Sequence, residues 1–154
     1  MIITQYDLFK KSQTAKEMYR IIEKYWRDLK RFSVTVNKRN VPLTELTIEQ
    51  FFNFLRKIPY TKDVKPIEVV ARPRYLLNAA MAGLDCKKKS ILMASYLRSN
   101  GHNYRLVGSS NRRNKNIHHV FPQVLTKGGW QNLDATYPQY KPYQKKRVTA
   151  YEVL

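Results

Sequence analysis

One cysteine, Cys86, stands among 154 residues. No disulfide can close within the chain, and a cysteine-based metal cluster is excluded. A lone cysteine is either a small buried hydrophobe or a nucleophile. No run of about 18 apolar residues is present, so no membrane-spanning helix is expected. The opening "MIITQYDLFKK" lacks the basic-then-apolar pattern of a secretion signal, and none is read there. Neither an internal repeat nor a linker interrupts the chain. Acids are scarce as well: from Lys87 to Leu133 there is no Asp or Glu, while nine residues are Lys or Arg.

What is present is apolar material and positive charge. Hydrophobic residues make up 43% of the sequence, enough for one core, so a single domain over 1–154 is expected. Within it, 1–45 reads as a helical N-terminal extension, 46–140 as the core and 141–154 as a basic tail. Lys and Arg total 29 against 11 acids, a formal charge of +18. A field of that sign attracts nucleic acid, anionic lipid surfaces or acidic polymers and proteins without choosing among them. The contacts would run through Lys87, Lys88, Lys89, Arg112, Arg113 and Lys115. A merely solubilising surface is the plain alternative.

Apolar spacing over 12–31 (Ala15, Met18, Ile22, Tyr25, Trp26, Leu29) predicts an amphipathic helix. "TVNKRNVPLTE" reads as a connector. Thr47 is placed to cap a second helix carrying Ile48, Phe51, Phe52 and Leu55, which stops before Pro59. "TKDVKPIEVVARP" reads as an extended loop. A third helix starts at "DCKKKSILMASYLRSNG" and ends at Gly101. The period then changes to that of strands: "NYRLVGS", "IHHVFPQVL" and "WQNLDATYP", with a hairpin turn at "TKGG" and a basic loop at "SNRRNKN". The tail "KPYQKKRVTAYEVL" has no clear pattern. Helices followed by antiparallel strands give an α+β fold with one helix packed on the sheet.

Cys86 falls at the start of the third helix, where free backbone N–H groups and the positive end of the helix dipole favour a negative sulfur. A thiolate nucleophile needs a base, and the base needs an orienting group. His119 and Asp134 sit on adjacent strands of the predicted hairpin. A two- or four-residue turn places them on one face, directly or diagonally opposite, and sends His118 to the other. Taken singly, each residue has a bland reading: a buried thiol, a packed histidine, a turn-capping acid. The ordered trio argues for chemistry.

The stretches "GLDCKKKSILMASYLRSNGHNYRLVG", "HHVFPQV" and "GGWQNLDATYP" resemble the transglutaminase-like cysteine protease superfamily. Its pattern is G-D-C at a helix start, H-x-W/F-x-x-V in a strand, then G-W-x-x-L-D-x-T. The lead-in "IPYTKDVKPIEVVARPRYLL" is similar to that of bacterial and phage members. The resemblance covers roughly 50–138. It implies a papain-like core in which Cys86 is the nucleophile, His119 the base and acid, and Asp134 the orienting carboxylate. The Cys86 N–H would form part of an oxyanion hole, whose upstream side-chain donor is open among Trp26, Tyr60, Tyr75 and Asn78. The chain departs from the family in carrying Lys87 and Lys88 where acids commonly follow the cysteine, and in the extra residue of "GLDC".

Two functions remain open at this point. One is a cysteine hydrolase or acyl transferase acting on protein or peptide amides, peptidoglycan peptides among them, with no cofactor or metal. The other is a non-enzymatic basic module, structural or nucleic-acid-binding, that keeps the fold. The expected location is the cytoplasm, or a virion if the protein is phage-encoded.

Overall fold

A computed structural model describes residues 3–7, 11–63 and 67–154. Its centre is helix α4, Cys86–Ser99, in which every residue from Ser90 to Leu97 is buried. A helix apolar on all sides must be covered on all sides. Three preceding helices pack around it: α1 (Lys11–Tyr25), α2 (Ile48–Arg56) and α3 (Pro73–Asn78). The remaining face rests on an antiparallel sheet of β5 (Tyr104–Ser110), β6 (His119–Thr126), β7 (Gly129–Asn132) and β8 (Ala150–Val153), in the order β7-β6-β5-β8. The fold is α+β.

Local chemistry explains most of the element ends. Thr47 caps α2 by accepting the Gln50 N–H at 3.1 Å while the Gln50 side chain accepts the Thr47 N–H at 2.9 Å, a reciprocal capping box. Phe51, Phe52 and Leu55 are then fully buried. After α4, Gly101 takes φ +73°, the left-handed turn that glycine adopts without strain. The hairpin of β6 and β7 closes with Thr126 opposite Gly129, a two-residue turn over Lys127 and Gly128.

Several segments differ from the sequence reading. The helix expected over 12–31 is α1 followed by a tighter turn over Trp26–Arg31. The tightening turns Asp28 inward, where its carboxylate accepts Arg72 Nε at 2.8 Å and the Arg74 N–H at 3.1 Å. The connector holds a hairpin of β2 (Ser33–Val36) and β3 (Arg39–Pro42), with Asn37 and Lys38 at φ 49° and 64°. Two consecutive positive φ values suit the twist of a tight hairpin, and asparagine tolerates one of them. The extended loop contains β4 (Ile67–Ala71), paired with β1 (Ile3–Asp7); its residues 64–66 lie outside the described set, as do 1–2 and 8–10 of the opening segment. The tail supplies β8, which hydrogen-bonds to β5.

Leu92 is fully buried in the middle of α4. Leu92→Ala is expected to destabilise the protein by about 2–5 kcal/mol, the range for deleting a core leucine side chain, measured by urea unfolding at constant m-value.

Candidate active site

Cys86 is the first residue of α4, and Asp85 caps that helix by accepting the Lys88 N–H at 3.0 Å. The capping carboxylate is buried and pairs with the Lys87 ammonium. Lys87 lies 3.5 Å from Asp63, which also pairs with Lys88. Burial raises the carboxyl pKa of Asp85, against the pull of Lys87. Burial pushes Asp63 the same way, but Lys88, the Val69 N–H and Lys87 bring it below the usual carboxylate range. Lys89 turns into the protein, 2% exposed, and donates to the carbonyls of Ile58 at 2.6 Å, Thr136 at 2.9 Å and Ala135 at 3.3 Å. Burial brings its ammonium down to about 8.

These contacts correct one expectation. Lys87, Lys88 and Lys89 do not form a basic surface, because the fold uses all three internally. Arg112, Arg113 and Lys115, in the loop before β6, are exposed.

His119 opens β6, and its Nε2 meets Asp134 Oδ2 at 2.6 Å. Cys86, at the head of α4, is near enough to act electrostatically on the same ring. Asp134 lies two residues past the end of β7. Extending the hairpin register puts it across from Phe121, so His119 is its diagonal neighbour on the same face. The Asp134 Oδ1 accepts from the Thr136 N–H at 3.1 Å and the Thr136 hydroxyl at 2.5 Å. The structure therefore brings Cys86 beside the bonded pair of His119 and Asp134. His118, immediately before the strand, is exposed and donates its backbone N–H to Ser109 at 3.1 Å.

Burial alone would lower the imidazole pKa of His119, but its bond to Asp134 and the nearby Cys86 raise it to about 9. Burial would raise the carboxyl of Asp134, but His119 and a second cation, Lys146, hold it at about 2. Lys146 comes from the tail and ion-pairs with the same Oδ2 that His119 holds. The sequence motifs do not reveal Lys146, which no local spacing connects to Asp134. Thr136 lies within "GGWQNLDATYP", but the sequence alone gives it no role.

The site opens into a groove of about 1630 Å³ bordered by Tyr60, Cys86, His119, Tyr137, Tyr140 and Lys146, among others. Of the four upstream side chains considered for an oxyanion hole, Tyr60 borders this groove. Burial and the neighbouring Cys86 raise its hydroxyl pKa. Gly83, at φ +91°, lets the chain run against residues 59–61, with the Leu84 N–H on the Pro59 carbonyl at 2.9 Å. A Cβ at Gly83 would strike Thr61. Trp26 instead has Arg27 over its ring at 4.3 Å, Tyr75 has Arg74 over its ring at 5.2 Å, and Asn78 is exposed at the end of α3. Among the described residues, no three His, Cys, Asp or Glu side chains are grouped to hold a metal, and no helix is long and apolar enough to cross a membrane.

A cysteine at the N-terminus of a buried helix thus stands near a histidine–aspartate pair on an antiparallel hairpin. The chain belongs to the transglutaminase-like superfamily, whose family profile matches residues 33–135. The match begins after α1 and ends one residue past Asp134, so Lys146 lies outside it. Neither a curated protein nor a solved structure matches the chain.

The His119–Asp134 pair should make stability depend on pH in a defined way. A histidine whose folded pKa, about 9, exceeds its ordinary value of 6.5 contributes fully below 6.5 and loses that contribution as pH rises through 9. An aspartate held at about 2 instead of 3.8 contributes above 3.8 and loses it as pH falls through 2. The coupling energy from a double-mutant cycle of His119→Gln and Asp134→Asn is therefore expected to be flat between about 3.8 and 6.5 and to shrink on either side. Chemical unfolding across that pH range measures it, and a coupling that grows toward pH 9 would be the wrong sign.

Proposed function

We propose that the protein is a cysteine hydrolase or acyl transferase acting on protein or peptide amide bonds. The observation that carries this reading is the bonded pair of His119 and Asp134 beside Cys86 at the edge of an accessible groove. In it, the Cys86 sulfur attacks the amide carbonyl carbon while His119 holds the thiol proton. The carbonyl oxygen takes up negative charge facing the Cys86 backbone N–H and the Tyr60 hydroxyl. As the C–N bond breaks, His119 passes its proton to the departing amine, leaving a thioester on Cys86. Water or a second amine then gives a proton back to His119 and attacks the thioester, releasing acid or a new amide and regenerating the thiol. Asp134 keeps the imidazole oriented and stabilises its protonated form.

Arg112, Arg113 and Lys115 support a second reading, a polyanion-binding module, because they are exposed and adjacent in the loop leading to His119. The two readings separate by experiment. At about pH 6 an ordinary thiol of pKa about 8.5 is almost wholly protonated. Cys86 is expected to be alkylated by iodoacetamide there much faster than a free thiol, and the excess should vanish in His119→Ala. In a peptide library scored for both hydrolysis and amine incorporation, Cys86→Ala should abolish turnover. Asp134→Asn should lower it on the order of 10- to 100-fold, less than in a serine enzyme because a thiol ionises more readily. If alkylation is no faster than that of a free thiol and no amide turns over, the catalytic reading fails.

For the second reading, replacing Arg112, Arg113 and Lys115 by Gln is expected to move elution from heparin to clearly lower salt, since each lost phosphate-type contact lowers the salt slope by about one. An unchanged elution position would leave these residues as solvated surface.

A further inference from the structure

The segment 143–149 joins two ends of the sheet. At one end the Tyr143 N–H reaches the Asn132 carbonyl at 2.9 Å, and Asn132 Nδ2 donates to the Gln144 carbonyl at 3.0 Å, both at the end of β7. At the other end the Thr149 N–H donates to Ser110 at 2.7 Å and its hydroxyl to the Arg112 carbonyl at 2.7 Å, at the end of β5. Between β7 and β5 lies β6, whose first residue is His119. The segment is therefore a strap across the end of the sheet that carries the His–Asp pair, and Lys146 is its midpoint. The Lys146 ammonium lies 4.0 Å from the Tyr140 ring centroid and 5.1 Å from that of Phe121. Its side chain is 15% exposed. Two ring faces and a carboxylate fix its place.

We infer that Lys146 is a positioning residue of the site, delivered by the strap to share Asp134 Oδ2 with His119 and so to limit how tightly the carboxylate holds the imidazolium. Three features support it. The cation and the imidazole meet one oxygen, so each weakens the other's claim on it. Asp134 is 4% exposed, so that competition is little screened by water. The Oδ1 oxygen is already taken by Thr136, which leaves Lys146 no other oxygen to move to. Without Lys146 the imidazolium would face an undivided carboxylate and lose a repelling neighbour. Both changes raise the imidazolium pKa and make His119 slower to give up the proton that the leaving amine needs.

The other ionisable groups around His119 stay constant in the comparison. They are Cys86 and Asp85 at the head of α4, Lys89 beneath the Asp134 loop, and Tyr60, Tyr137 and Tyr140 along the groove. β5 contributes Ser109, which is uncharged, directly opposite His119.

The test follows the imidazole directly. The chain has three histidines, so the ring Cε1–H signals are assigned with His119→Gln and titrated by NMR in wild type, Lys146→Met, Lys146→Gln and Lys146→Arg. Lys146→Met keeps an unbranched stem between the two rings, and Lys146→Gln keeps a neutral donor. Both are expected to raise the His119 midpoint by about one pH unit or more, as loss of one close charge does, while Lys146→Arg stays near wild type. A midpoint that does not move, or that falls because the strap has merely loosened, would overturn the inference. So would an arginine variant that behaves like the methionine one. If one neutral variant fails to fold, the other decides. The inference rests on His119 and Asp134 being working parts of a thiol site, but the titration needs no substrate. Absent turnover with a shifted midpoint sinks the catalytic reading alone, and normal turnover with an unshifted midpoint sinks this one alone.

Discussion

Asp134 is a carboxylate that water barely touches, and an unpaired charge in such a place costs several kcal/mol. Its surroundings supply what water would. The Thr136 N–H and hydroxyl take one oxygen, and His119 and Lys146 take the other. The backbone that carries it is fixed from below, since Lys89 holds the carbonyls of Ala135 and Thr136. Lys89 is three residues after Cys86 on α4, about one helical turn. The same turn therefore places the sulfur and anchors the loop bearing the carboxylate. Sulfur, imidazole and carboxylate come from distant parts of the chain, yet their spacing is set through short rigid connections.

That arrangement changes the meaning of the charge of +18. A basic protein repels itself, and the few acids it has are best placed where they relieve the most repulsion. Asp28, Asp63, Asp85 and Asp134 are each buried or half-buried beside lysine, arginine or histidine. The lysines after Cys86 belong to this internal set. Lys87 and Lys88 keep the head of α4 balanced by pairing with Asp85, the residue just before the helix, and with Asp63 farther upstream, while Lys89 is held by carbonyls. Breaking such a buried pair from one side leaves the other charge stranded, which costs far more than losing a surface ion pair.

The spacing of apolar residues makes α1, α2 and α4 legible, and strand parity together with the H-x-F-x-x-V match points to His119 as the partner of Asp134. What escaped was whatever depends on pairing between distant segments. β4 reads as a loop until β1, more than 60 residues earlier, lies beside it. Asn37 and Lys38 carry no glycine to announce a hairpin, so β2 and β3 read as a connector. "KKK" reads as surface because a linear sequence does not show that Asp63 and the carbonyls of Ile58, Ala135 and Thr136 wait around it. The tail has no period of its own, since β8 is a single edge strand whose order comes from β5. Tyr60 and Lys146 share this property: each is placed by a turn or a strap, not by a pattern.

Those same two residues close the site. Tyr60 packs at a tilt against Tyr137 with ring centroids 4.8 Å apart, and Tyr137 meets Tyr140 edge-on at 5.3 Å. Tyr140 carries Lys146 on its face, Lys146 reaches Asp134, and Asp134 returns through His119 to Cys86. The contacts form a ring, aromatic along one side and ionic along the other. The aromatic side limits water around the ionic side, and a hydrogen bond between charges is stronger where water is scarce. The ionic side in turn fixes Lys146, and with it the strap that holds Tyr140. Each half therefore supports the other, and residues beyond the family match complete the surroundings of those within it.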